Sequence, residues 1–293
     1  MSAHARDSVD DWRSPRLGEL LESPRWHVER RKISFVDIPT GRLFELTPDT
    51  WEMREFSTGV TPLGSALPWG DGYLLVGADG VWAWKPHDVA ASPEKWADIP
   101  SAKGILSNDA TFHHGFVWVG RMSESEEPEQ GSVWKVGPAS SEEIISGLTL
   151  PNGMVPSPKA GHMLLAESSD QVIYEFPLDA TGLKTDELAV YADLKGWTPD
   201  GLAWDHRGRL WVARWGEGKV SCHENSPSDI ADVLTGTPQS TALAFDEDGF
   251  MYVTTAHEGF TAEEVSADPH AGTIFVPAAP VGGQKRVGGA DTP

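Results

Sequence analysis

Six polar positions recur along the 293-residue chain at intervals of roughly 41–48 residues, each at the head of an apolar run. They are Glu22, Ser65 or its neighbours, Asn108-Asp109, Asn152, Asp200 and Ser240-Thr241. The set is rich in oxygen donors and contains neither Cys nor His. Oxygen donors suit hard cations such as Ca²⁺, Mg²⁺ and Mn²⁺. A carboxylate, an amide carbonyl and a second carboxylate around one cation leave positions open for water or substrate. Taken singly, Asn152-Gly153 and Asp200-Gly201 are also ordinary turn dipeptides. Their shared register ahead of successive apolar runs is what favours a common site.

The elements that must bring these residues together are short strands. A turn, often with Gly, followed by a run of β-formers appears as KISFVDI, GYLLVGAD, GFVWVGRM, GHMLLAES, GRLWVARW and GFMYVTTA. Each is preceded by another short segment, such as SPRWH, NDATFHH or DGLAWDH. Each is followed by an alternating one, such as GRLFELT, GSVWKVG or GKVSCHE. The runs WEMREFS, EEIISGL and ELAVYAD supply outer strands. Six units of this kind predict an all-β fold, a six-bladed β-propeller of four-stranded antiparallel blades. Gly, Pro, Asp and Asn punctuate the chain too often for long helices. A two-sheet sandwich would not require six similar units.

In a propeller the inner strands line the axis, so residues at their heads converge although they are distant in sequence. The expected organisation is a flexible segment over 1–15, one propeller domain over 16–280 and a flexible tail over 281–293. The last unit lacks a strong outer strand, so a segment before Glu22 is expected to close the ring.

Composition narrows the function classes. The formal charge is −21, with 44 acidic against 23 basic side chains, which disfavours nucleic acid and anionic membrane surfaces as partners. No apolar run is long enough for a membrane span. The charged N-terminus lacks a signal-peptide core, and Cys222 is the only cysteine. These features lead to the expectation of a cytoplasmic protein, a monomer or small homo-oligomer. No GxSxG elbow, phosphate loop or zinc-type Cys cluster points to another class.

At the polar positions the sequence resembles the SMP-30/gluconolactonase/luciferin-regenerating family, from about Leu21 to Phe275. LLESPRWHVERRKISFVDIPTGRLFEL is similar to the family's opening blade, LPNGMVPSP to its Asn-Gly segment and TPDGLAWDHRGRLWVARWGEGKV to its Pro-Asp-Gly segment. SNDATFHHGFVWVGRM resembles its Asn-Asp-Gly segment. The resemblance implies a divalent cation on Glu22, Asn152 and Asp200, with Ca²⁺ the first expectation and Zn²⁺, Mn²⁺ or Mg²⁺ the alternatives. It implies a small-molecule lactone as substrate, with Asn108 contacting substrate or water.

The cation would polarise the lactone carbonyl, and a carboxylate would deprotonate water. Asp200 is the first candidate base. Asp109 is the second, because a carboxylate bound to a cation is a weaker base. A phosphotriesterase-like hydrolase and a binding propeller with a structural metal are the alternatives.

The departures from the family pattern concern the substrate side. Leu106 stands where the family often has an Arg, which predicts a less polar lactone. Gly120-Arg121-Met122 replaces Gly-Thr-Met, and Arg121 is the residue that would restore the missing Arg by binding an anionic group. Phe245-Asp246-Glu247 replaces a Phe-Gly-Gly turn, and Glu167-Ser168 an Asp-Ser pair. Trp197 and Trp215, near Asp200, are read as the pocket rim. His257 is read as reaching the channel mouth. Glu124 and Glu126 form an acidic loop, solvated by default, that stands where it would cover the pocket.

Overall fold

The computed structural model describes residues 10–88, 91–223 and 231–281. They form six sheets of at least four strands each, almost without helix. The inner strands are Leu21–His27, Leu63–Trp69, Ile105–His113, Pro151–Pro156, Pro199–Trp204 and Ser240–Phe245. Numbered in that order, they define blades 1 to 6. Each pairs antiparallel with the strand that follows it in sequence. This is the expected six-bladed propeller.

The ring closes as the weak last unit predicts. Trp12–Arg13 pairs antiparallel with Phe275–Val276 and is the outermost strand of blade 6. Arg13 fastens it by donating to Thr273 Oγ1 at 2.8 Å and to Thr235 O at 2.5 Å. Part of the span 1–15 expected to be flexible is therefore the closing strand; residues 1–9 and 282–293 lie outside the described residues. Blade 3 carries an addition, Leu183–Lys184, which pairs parallel with the outer strand Ser140–Leu148.

The core is a set of six seams, each shared by two neighbouring blades. Blades 1 and 2 bury Leu43, Val36, Leu63 and Tyr73 between them; blades 3 and 4 bury Trp118, Ile145, Met163 and Phe176. The other four seams repeat the pattern. Alternation along each strand sends apolar side chains into these seams and leaves the inner edges free to carry polar groups. No helix among the described residues is long and apolar enough to cross a membrane.

Candidate metal centre and active site

Every inner strand breaks its pairing register near its head. The shifts lie between Glu22 and Arg25, Leu63 and Ser65, Ser107 and Ala110, Pro151 and Met154, Pro199 and Leu202, and Ser240 and Leu243. A bulge at such a place turns a side chain out of the alternating pattern. The six bulges carry Glu22, Gly64-Ser65, Asn108-Asp109, Asn152, Asp200 and Thr241, the last with its buried hydroxyl donating to Leu21 O at 2.6 Å. Asn152-Gly153 and Asp200-Gly201 are thus strand bulges rather than turns. Their glycines answer a packing need: a Cβ on Gly153 would meet Leu202 N, and one on Gly201 would meet the backbone of Ala242. Inner strands of adjacent blades abut at these points.

Two buried carboxylates dominate the electrostatics. Glu22 is 6% exposed and Asp200 5%. Glu22 Oε2 accepts from Ser23 N at 2.7 Å. Asp200 receives no side-chain hydrogen bond among the described residues. Burial, then the charge of Asp109, pushes the Glu22 carboxyl up to about 8. Burial, then the charges of Glu22 and Asp109, holds Asp200 well above the ordinary carboxylate range. Desolvated, mutually repelling carboxylates become favourable when a cation stands between them.

Asn152 is oriented by a chain of donors. Ser168 Oγ donates to Pro199 O at 2.6 Å, so it must accept the 2.9 Å bond from Asn152 Nδ2. That leaves the Asn152 carbonyl oxygen turned the other way, where it accepts from Asn108 Nδ2 at 2.7 Å. The second Asn108 amide proton goes to Pro151 O at 3.2 Å. Glu167 accepts from Thr149 N at 3.0 Å and Leu150 N at 2.9 Å, which pins the approach to Asn152. Glu167-Ser168, a departure from the family pattern, is therefore a positioning pair. Replacing Ser168 with Ala should weaken divalent-cation affinity by roughly 10–100-fold with the fold intact, read by calorimetric titration of metal-stripped protein. Unchanged affinity would dismiss the orienting role.

Asp109 lies beside this set and is 5% exposed. Its Oδ1 accepts from Arg25 at 2.9 Å, Ser65 Oγ at 3.2 Å and Ala110 N at 2.8 Å. Arg25 does not stand out in the sequence, because its partner lies on another blade.

The remaining candidates divide. Leu106 is half-buried on the inner strand of blade 3, opposite Met122. Arg121 does not serve as an open anion contact. It is 3% exposed, donates to Pro100 O at 3.0 Å and Ala78 O at 3.2 Å, and its guanidinium lies over the Trp134 ring. Antiparallel pairing places the end of each second strand at the level where the inner strands begin. Trp215, His257 and the Glu124–Glu126 loop all follow second strands and so share the bulge face. Trp197 stacks on the Arg214 guanidinium at 3.9 Å, and Trp215 N donates to Thr198 O at 3.0 Å. His257 is half-buried, and its backbone N–H donates to Glu19 O at 2.8 Å. The neighbouring Glu258 adds repulsion to both Glu22 and Asp200, and is itself acted on by Glu126 and Glu19.

The donor chemistry fits a hard divalent cation: carboxylates from Glu22 and Asp200 and an aimed carbonyl from Asn152. Among the described residues, no group of three or more His, Cys, Asp or Glu side chains is placed to hold a metal ion.

A family model described as the SMP-30/gluconolactonase/LRE-like region matches residues 20–257. The chain is 25% identical to the 6-deoxy-6-sulfogluconolactonase of Pseudomonas putida, over 87% of this chain and 90% of that protein. It is 25% identical to a pentonolactonase of Haloferax volcanii, over 89% and 90% of the two chains. The solved structure of a regucalcin from Agrobacterium tumefaciens, described as a calcium-binding protein, superposes with a TM-score of 0.81 at 25% identity, covering 92% of this chain and 93% of that one. With a match that runs from the first inner strand into the last blade, the chain belongs to the SMP-30/gluconolactonase/LRE-like family.

Proposed function

We propose that this protein is a lactonase-type hydrolase that opens the ester ring of a lactone at a divalent-cation site formed by Glu22, Asn152 and Asp200. The observation that carries the reading is the pair of buried, mutually repelling carboxylates beside an amide oxygen aimed by Ser168. The lactonase names of full-length relatives support the reaction class, and the calcium-binding description of the regucalcin supports the cofactor class.

When bound, the cation supplies Lewis-acid polarisation of the lactone carbonyl. The chain's own residues do the rest. Asn108, held by its amide protons to Asn152 and Pro151, keeps its carbonyl oxygen for a substrate hydroxyl or a water. A carboxylate oxygen of Asp200 accepts the proton of the attacking water. Three donors on Oδ1 of Asp109 favour Asp200 over it as the base. The ring C–O bond breaks, the leaving oxygen takes a proton, and a hydroxy carboxylate departs with net release of one proton. Leu106, Trp215 and His257 form the substrate wall. Glu19, Glu126 and Glu258 at the mouth repel that anionic product.

The test is proton release by metal-stripped protein offered lactones, before and after Ca²⁺, Mn²⁺, Mg²⁺ or Zn²⁺ is restored. Hydrolysis is expected only with a cation, and less polar lactones should compete well with sugar lactones because Leu106 replaces a polar contact. Strict preference for polyhydroxylated lactones would remove Leu106 from the specificity wall.

A further inference from the structure

We propose that Arg25 is a built-in cation of the axial site, neutralising Asp109 so that the site holds one divalent ion and no more. The inference rests on the metal reading above and concerns a residue that reading leaves unassigned. Arg25 extends from the inner strand of blade 1, past the bulge that bears Glu22, to the inner strand of blade 3. One amino group donates to Asp109 Oδ1 at 2.9 Å and Ala110 O at 2.7 Å; the other donates to Pro24 O at 2.9 Å. Ser65 Oγ, from blade 2, donates to the same Asp109 oxygen at 3.2 Å. One carboxylate thus joins the bulges of three consecutive blades.

Charge counting gives the contact its meaning. Glu22, Asp109 and Asp200 are all buried and act on one another electrostatically. Ionised together, as cation binding requires, they carry three negative charges. The guanidinium is always protonated and removes one. Two remain, the number a single divalent ion neutralises. Arg25 is also the cation whose charge acts on Glu22 among the described residues. Glu258 also repels Glu22 and Asp200, but it is solvent-exposed at the rim and acts on both more weakly than Asp109 does.

The donors around the guanidinium are themselves suited to metal. A carboxylate, two backbone carbonyls and a nearby hydroxyl form an all-oxygen set of the kind hard cations occupy. With the guanidinium in place, that set is filled by the chain itself. Without it, Asp109 is an unneutralised buried anion beside Ala110 O and Pro24 O.

The experiment titrates the metal-stripped full chain with Mn²⁺ by calorimetry and equilibrium dialysis. Wild type and Arg25→Lys are expected to bind one equivalent. Arg25→Met is expected to bind a second, and Arg25→Met/Asp109→Asn to return to one. Asp109→Asn alone keeps the guanidinium and loses its counter-charge, so its affinity for the single ion should fall at least about tenfold. One equivalent in Arg25→Met with wild-type affinity overturns the assignment. Should Arg25→Met fail to fold, wild-type affinity in Asp109→Asn overturns it instead. A wild type that binds no ion at all would overturn the metal reading itself, which separates the two failures.

Discussion

Asp200→Asn is expected to lower kcat on a lactone by roughly 10³-fold or more at saturating cation, with the propeller still folded. The substitution keeps the shape of the side chain and one oxygen donor, so packing against Gly201 and the neighbouring bulge is preserved. It removes the only group on the blade 5 bulge that can take a proton from water. It also removes a charge from the site, so the assay must be run at cation concentrations that saturate the variant. A fall in apparent cation affinity with kcat unchanged would make Asp200 a ligand alone and return the base role to Asp109. Near-wild-type kcat and affinity together would remove Asp200 from the site.

The second large effect is on stability in the absence of metal. Glu22 and Asp200 are pushed above their ordinary range in the folded protein, Glu22 to about 8. In the unfolded chain both ionise near pH 4. Below that pH both states hold the protons and no penalty arises. As pH rises past about 4, the unfolded chain ionises while the folded site resists, so the folded state loses stability until Glu22 ionises at about 8 and Asp200, also held above the ordinary range, gives up its proton. Chelator-treated protein should therefore melt at least roughly 5 °C lower at pH 8 than at pH 5. Saturating Ca²⁺ or Mn²⁺ should remove most of that difference, because a cation reverses the repulsion. Asp200→Asn in chelator should shrink the difference, which separates this pair from Glu167, whose buried carboxyl is itself pushed up to about 7. A stripped wild type that melts at the same temperature at both pH values, or higher at pH 8, would contradict the electrostatic account.

The propeller was legible because its signal repeats. No single strand such as GFVWVGRM names a fold, but six copies with similar flanks leave little else for the chain to form. Even the closing strand at Trp12–Arg13 follows from the weakness of the last unit. Leu183–Lys184 was not legible: two residues with no alternation pair only because the outer strand of blade 3 is there to receive them.

The site was legible at the level of residue type and poorly legible at the level of partners. Asn152 and Asp200 share their dipeptides with common turns, and only the bulged register of paired strands tells the two apart. Arg121 misleads because a basic residue near a pocket suggests an anion contact. Its acceptors, Ala78 O and Pro100 O, are backbone carbonyls outside its own blade, which no local pattern reports. The partner of Arg25 and the orienting role of Ser168 are hidden for the same reason. Arg25 acts on Asp109 two blades away, and Ser168 links Asn152 of its own blade to Pro199 of the next. Side-chain chemistry can be read locally, but the pairing of charges across an axis cannot.

Whether a single axial cation enables lactone hydrolysis is decided by stepwise reconstitution. Metal-stripped protein is given a lactone, and proton release is followed as divalent cation is added in fractions of an equivalent. Negligible release is expected at the start, then a rise in step with occupancy and a plateau at one equivalent per chain. Full activity in the stripped protein, or a fully loaded protein that releases no protons from any lactone, would contradict this expectation.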